Sequence, residues 1–368
     1  MSLTATLTSG AVPLGGREVA LYEADAQIAT AVTDAQGRAK FALKATRSGS
    51  HQARFAPQTP ADVAAYQPAS SQALALAVQP LVRVGIRSPL RARRTIMGIP
   101  GVGVRIRGNV TPYVAGANVV VRIGRRGREV RRRTVALVQQ GTQGRFAFVF
   151  KPRRRGKFTV RAEQAASAEL AGGKARPKRL LVVRPHAGPG SYGKAVRALE
   201  QRLHALGYLT GVGNRFGSGT GRAVLAFRKV TGMSRGSSAT RAVFRKLAKG
   251  RGRFRLRFPR AGRHVEFDWS RQVLVLAQGS RPAKILHASS GKPSTPTVFG
   301  HFRFYSKTPG FNSHGMYFSN YFIGGYAIHG YAEVPPFAAS HGCIRIPIPN
   351  AVSVYRWINL GDQIFVYR

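Results

Sequence analysis

The single cysteine of this chain, Cys343, lies in the run Ser340-His341-Gly342-Cys343-Ile344-Arg345, with His329 and Gly330 a short distance upstream. Those residue types suit covalent catalysis. A thiol attacks as its thiolate, so a reactive cysteine needs its pKa brought toward ambient pH and a neighbour that takes its proton. Two histidines qualify. His341 precedes Cys343 by two positions, and on a strand the two would share a face without meeting end to end. His329 sits on a separate segment and can approach across a sheet, which makes it the better base. Gly342 lets backbone come close to a substrate, and the N–H groups of Gly342 and Cys343 could bind an oxyanion. Ser340 and His341 read as residues that hold this loop in shape. Arg345 is placed to grip a carboxylate with both arms of its guanidinium. Glu333 is the acidic residue near in sequence, so it is one candidate to orient the imidazole. A lone cysteine is ordinarily a small core residue. The company of His329 and Ser340 favours a nucleophile here.

The elements that must hold these groups are legible as strands. From about residue 253 the pattern is β. Residues 265–268 and 272–276 predict a hairpin around Trp269-Ser270-Arg271, and 284–289 predict another strand. A stiff loop follows over 290–297, then a strand over 300–304. Upstream, 192–249 reads as helices. Val196, Leu199, Leu203 and Leu206 recur at helical spacing, Gly207 is a natural C-cap, and Thr220 is a candidate N-cap for a second helix. Val243, Phe244 and Leu247 mark a third. Residues 187–191 read as a linker.

The first half is β again. The run from Gly37 to Lys44 resembles that from Gly144 to Lys151, an offset of 107 that also pairs Gly49 with Gly156 and Arg54 with Arg161. This is an internal repeat of domain size. The expected architecture is therefore multidomain and mainly β: β-sandwiches at 1–78 and 79–185, a helical module at 191–250, and a mostly-β domain at 251–368.

Several stretches resemble known families. The Ser290-Gly291-Lys292-Pro293 to Thr297 loop, Met316-Tyr317-Phe318, Ile328-His329-Gly330, the Ser340 to Arg345 run and the closing Gly361-Asp362-Gln363 resemble the YkuD family of L,D-transpeptidases. Val196 to Leu203, Leu206-Gly207-Tyr208 and Phe216-Gly217 through Met233 resemble peptidoglycan-binding domain 1. Asn214-Arg215 and Arg228 depart from that pattern, which leaves a spacer role open for the module. The two β-domains look like tandem immunoglobulin-like domains. The YkuD resemblance implies that His329 is the base, that the Gly330 carbonyl orients it, and that Cys343 forms a thioester with a peptidoglycan tetrapeptide stem. An amine of a neighbouring stem then gives a 3→3 cross-link; attack by water makes an L,D-carboxypeptidase instead. Met316, Tyr317, Phe318 and Arg345 are expected to line the substrate groove. No cofactor is implied, and the histidines show no metal-ligand spacing.

Composition bounds the alternatives. With 59 Lys and Arg against 13 Asp and Glu, the net charge is +46. A chain this basic attracts polyanions. No nucleic-acid-binding motif stands out, so the expected partners are stem peptides and glycan, with anionic wall polymers on the basic surface. No apolar run is long enough to span a membrane, and no leader is visible at the start. Function therefore implies an extracytoplasmic, wall-associated or secreted protein. The rival reading is a wall-binding protein with an idle catalytic domain.

Overall fold

A computed structural model describes all 368 residues, and they fall into two compact units. One comprises residues 1–86, 105–148 and 158–178; the other comprises 87–104, 149–157 and 179–368. The mainly-β composition expected from the sequence is found.

In the first unit, strand Ser2–Thr6 pairs antiparallel with Arg38–Ala42. Strand Glu18–Glu23 lies between Ala26–Val32 and Gly49–Phe55. Alternate residues of these strands meet in one small core of Val19, Leu21, Ala39, Phe41 and Ala53. The period of two thus sends one face of each strand inward. A second set is built likewise. Asn118–Arg125 pairs with Arg128–Ala136 and with Gly156–Gln164, burying Val119, Val121 and Ile123 completely. Strands Gly49–Phe55 and Gly156–Gln164 begin at the two glycines that the repeat aligns.

The second unit holds three helices, Lys194–Ala205, Ser218–Val230 and Arg241–Ala248. The first ends as read: Gly207 has φ +93°, its N–H donates to the His204 carbonyl, and the Tyr208 N–H donates to Leu203. These two bonds satisfy carbonyls that a helix end would leave open. The second helix starts earlier than read. Gly217 is its N-cap, and Thr220 is buried, donating its hydroxyl to Glu200 at 2.6 Å rather than capping. The expected linker is also packed in. Ala187 is fully buried and exchanges both backbone hydrogen bonds with Ala239. Leu199, Leu203, Phe227, Val243 and Phe244 share one core with Val273, Val275 and Ile285 of the adjoining sheet.

That sheet runs Arg281–His287, Val273–Gln278, Arg263–Asp268, Gln363–Tyr367, Gly300–Arg303. The hairpin turn falls at Trp269 to Gln272, as expected. A four-stranded sheet runs Ser306–Phe311, Tyr317–Ile323, Tyr326–Tyr331, Ile344–Pro347. Helix Ile348–Tyr355 follows, with Ala351 and Val354 buried in the core of Val265, Phe267, Ile328 and Ile344.

Candidate active site

Strand Tyr326–Tyr331 pairs parallel with Ile344–Pro347, so that Ile328 faces Ile344 and His329 faces Arg345. Ile328 and Ile344 point into the core. Alternation sends Ala327 and His329 to the other face. Cys343 precedes Ile344, so the register puts it beside Ala327, with His329 one step further along the same face. The contacts agree: the Ala327 N–H donates to Cys343 Sγ at 3.4 Å, and the thiol reaches the Gly325 carbonyl at 3.6 Å. Residues 341–343 form a bend and not a strand. His341 is exposed, and its side chain makes none of the bonds that hold the loop.

His329 is 2% exposed, and its Nδ1–H donates to the Gly330 carbonyl at 3.0 Å. That bond fixes the tautomer and leaves Nε2 as the nitrogen able to accept a proton. Glu333 is exposed on the loop beyond, so the carbonyl takes the orienting position. Gly330 cannot be larger. A Cβ there would lie 2.7 Å from Ala351 Cβ and 3.1 Å from the Tyr317 carbonyl oxygen.

The loop before the nucleophile is closed by short bonds. Ser340 Oγ donates to the Cys343 carbonyl at 2.6 Å and accepts from the Gly342 N–H at 3.1 Å. Gly342 adopts φ +123°, and a Cβ would come 2.5 Å from Tyr326 Cε1. Of the two N–H groups expected to bind an oxyanion, that of Gly342 is instead directed at Ser340 Oγ. Thr297 and Thr295, which sequence reasoning passed over, complete the closure. Thr297 Oγ1 donates to the Gly342 carbonyl at 2.6 Å, and Thr295 Oγ1 donates to Ser340 at 3.0 Å. Their signals were membership of the stiff 290–297 loop and of a stretch that resembles the YkuD family.

Electrostatics differ from the sequence reading in one respect. Burial pushes the Cys343 thiol up, against smaller downward pulls from the Ala327 N–H and the Arg345 charge. Burial likewise lowers His329 to about 4; the Gly330 bond opposes this and Arg345 adds to it. Both shifts favour the uncharged forms, thiol and imidazole. Desolvation outweighs the local donors because both groups are packed away from water.

The expected groove residues divide. The Arg345 guanidinium lies over the Tyr331 ring at 4.0 Å, and the Tyr331 ring meets His329 edge-on at 5.7 Å. Arg345 is therefore on the face that carries His329. Tyr317 pairs with Gly330 and meets Phe311 at a tilt and Phe318 edge-on, and Phe318 packs against Tyr355 of the closing helix. These two rings lie on the helix-covered face of the sheet, away from the face that carries His329. Phe318 takes φ +53° where the register slips, which turns its ring toward the helix. Met316 is half-buried, its N–H on Asn312 Oδ1.

Comparison with known proteins gives this arrangement its class. Residues 262–366 match the family model of YkuD, the L,D-transpeptidase catalytic domain. The chain therefore carries an L,D-transpeptidase catalytic domain of the YkuD family. No curated protein matches it. Among solved structures, it is similar to an L,D-transpeptidase from Xylanimonas cellulosilytica at 30% identity, over 50% of this chain and 98% of that one, with a TM-score of 0.47. An L,D-transpeptidase from Stackebrandtia nassauensis is 19% identical over 50% of this chain and 98% of that one, with a TM-score of 0.32. An L,D-transpeptidase of Enterococcus faecium, a C442S mutant, is 21% identical over 29% of this chain and 50% of that one, with a TM-score of 0.26. The family match over 262–366 carries the assignment.

Proposed function

We propose that this protein is a cysteine-dependent L,D-transpeptidase acting on tetrapeptide stems of peptidoglycan. The observation that carries the reading is the parallel register that puts Cys343 beside Ala327, next to a His329 whose Nδ1 is pinned to the Gly330 carbonyl. His329 Nε2 takes the Cys343 proton as the sulfur attacks the carbonyl of the third stem residue. The Cys343 N–H meets the oxyanion. The carbon–nitrogen bond breaks, the terminal D-Ala leaves with the proton from His329, and a thioester to Cys343 remains. The side-chain amine of a second stem attacks the thioester and closes a 3→3 cross-link. His329 accepts the amine's proton and returns it to the sulfur.

A neutral starting pair is compatible with this chemistry. Bound substrate displaces water and supplies the charge acceptor, so proton transfer accompanies attack instead of preceding it. Arg345 favours the step twice over, because its charge stabilises thiolate and is also available to a stem carboxylate. The helical segment would contact glycan or act as a spacer, the tandem immunoglobulin-like β-domains would space the catalytic domain from its anchor, and the basic surface would retain the protein on anionic wall polymers outside the cytoplasm.

Mass spectrometry of the protein with disaccharide-tetrapeptide tests the reading. The expected result is a covalent adduct on Cys343 that has lost D-Ala, followed by a dimeric product. A tripeptide without dimer would make the enzyme an L,D-carboxypeptidase. Absence of any adduct would overturn the proposal.

A further inference from the structure

The segment between the base and the nucleophile, residues 332–339, has no regular structure and contains Pro335 and Pro336. Prolines offer no N–H, so such a segment must be tied down through its carbonyls. Three of them are taken by side chains from elsewhere. The Val334 carbonyl accepts from His287 Nε2 at 2.8 Å, Pro336 from Arg235 Nη1 at 2.5 Å, and Phe337 from Ser289 Oγ at 2.6 Å. Arg235 belongs to the turn after helix Ser218–Val230. Its other arm donates to the Ser270 carbonyl at 3.2 Å.

His287 is itself set by the same helix. Lys229, 4% exposed, brings Nζ to 2.7 Å from His287 Nδ1, and to 3.0 Å from the carbonyls of both Gln272 and Ala288. Whether ammonium or amine, Lys229 has an N–H to give. Nδ1 is then the acceptor, and the imidazole proton must sit on Nε2, where it meets Val334. Burial lowers His287 to about 3, which agrees with a neutral ring. Desolvating an amine at this site is costly, so a position that needed only packing would be better served by leucine or methionine.

From these contacts we propose that the helical segment is a positioning element of the active site, with Lys229 and Arg235 as positioning residues that fix the 332–339 segment joining the strand of His329 to Ser340. The proposal rests on the reading of Cys343 and His329 as nucleophile and base. It gives the helices a part in the chemistry itself, beyond glycan contact or spacing. Each cation acts through a carbonyl or through His287.

Arg235 is exposed, so Arg235→Ala tests the idea with little risk to folding. Thioester formation by the full chain with disaccharide-tetrapeptide is expected to lose about tenfold in kcat with KM little changed, since misplacement of a catalytic group acts on the chemical step. Arg235→Lys should recover part of that loss, because a lysine can hold one of the two carbonyls. Lys229→Met should lose at least as much. A readout that needs no substrate separates this proposal from the one beneath it. The Ala339 and Ser340 amides donate to the Ser290 carbonyl. Their hydrogen exchange should speed up about fivefold or more in Arg235→Ala, as a local opening made easier. If wild type forms no thioester, the assignment of Cys343 fails, and exchange still decides whether Arg235 holds the segment. Unchanged exchange, or wild-type kcat in both Arg235→Ala and Lys229→Met, would overturn the positioning role.

Discussion

Two strands of similar length show how differently the two units bury their chain. The part of strand Gln143–Phe150 that lies in the first unit, residues 143–148, alternates, with Phe146 and Phe148 inward and their neighbours exposed. Tyr326–Tyr331 in the catalytic domain is buried from Ala327 through Gly330 without alternation. The first pattern belongs to a sheet with one wet face, and the second to a sheet covered on both. Covered strands must bury polar groups, and here they do: His264, Glu266, His287, Ser289, Ser290, Asn320 and His329 are all at least nine-tenths buried. Most have named partners. In the first unit most buried strand positions are apolar packing, with His51 and Gln164 as polar exceptions. In the catalytic domain such a position often means a proton or a carbonyl held in place.

Substitutions can break this contrast at each end. Cys343→Ala should abolish the covalent adduct entirely while leaving thermal unfolding nearly unmoved, because a half-buried thiol with two weak contacts contributes little to stability. Phe146→Ala should do the opposite. It removes a ring that is 3% exposed and should cost about 3–5 kcal/mol in the unfolding of the first unit. Adduct formation per folded molecule should match wild type. A loss of rate in folded Phe146→Ala protein would erase the distinction between packing strands and chemical strands.

Gly342→Ala probes the same contrast inside the catalytic domain. The new methyl would meet the Tyr326 ring at 2.5 Å, in a backbone conformation that L-residues avoid. The nucleophile loop must then shift, and a fall of about 100-fold in adduct formation is expected for a displacement near 1 Å. Circular dichroism should show the fold retained. Wild-type rate in this variant would mean that the loop is not held to a single geometry.

The contrast also explains what could be read in advance. Local signals were enough for the hairpin at Trp269 and the helix end at Gly207. Each depends on residues close in sequence or on one recognisable run. What escaped depends on partners far apart in the chain. Thr220 looked like a cap because Glu200 cannot be foreseen from twenty positions away. Thr297 closes the nucleophile loop across 45 positions, and Lys229 reaches His287 across 58. Tyr317 and Phe318 matched a motif, but the register slip that sends them to the helix side is a three-dimensional event. The thiol was expected to ionise readily because donors are visible in sequence and desolvation is not.

Acid titration offers a sharper measure of that desolvation. Folded His329 sits at about 4 against an ordinary value of 6.5. Its neutral form is the one the fold prefers, so the unfolded chain binds the proton first. The stability due to this group is present above pH 6.5 and is lost as pH falls from 6.5 through about 4. The acid limb of kcat/KM should likewise lie near pH 4, because the neutral imidazole is the working base. A limb near 6.5 would show that His329 is solvated in the free enzyme. His287, lowered further, should titrate below both limits.

The smallest effects belong to the edge of the first unit. Strand Arg128–Ala136 ends its sheet, and Arg131 and Arg133 stand opposite the fully buried Ile123 and Val121. They therefore project on the core side of the sheet yet remain exposed, with the Arg133 guanidinium 5.5 Å from the centre of the Phe148 ring. Cations in that position contribute little to the folded unit, since each is hydrated and its ring contact is long. They do oppose the approach of a second unpaired strand edge, which would have to bury them. Arg131→Gln should change unfolding free energy by no more than about 0.5 kcal/mol. Arg131→Val combined with Arg133→Val should leave the unit folded and make it self-associate, read by light scattering at rising protein concentration. A monomeric double variant would mean that the arginines guard nothing, and that the charge of this edge serves binding alone.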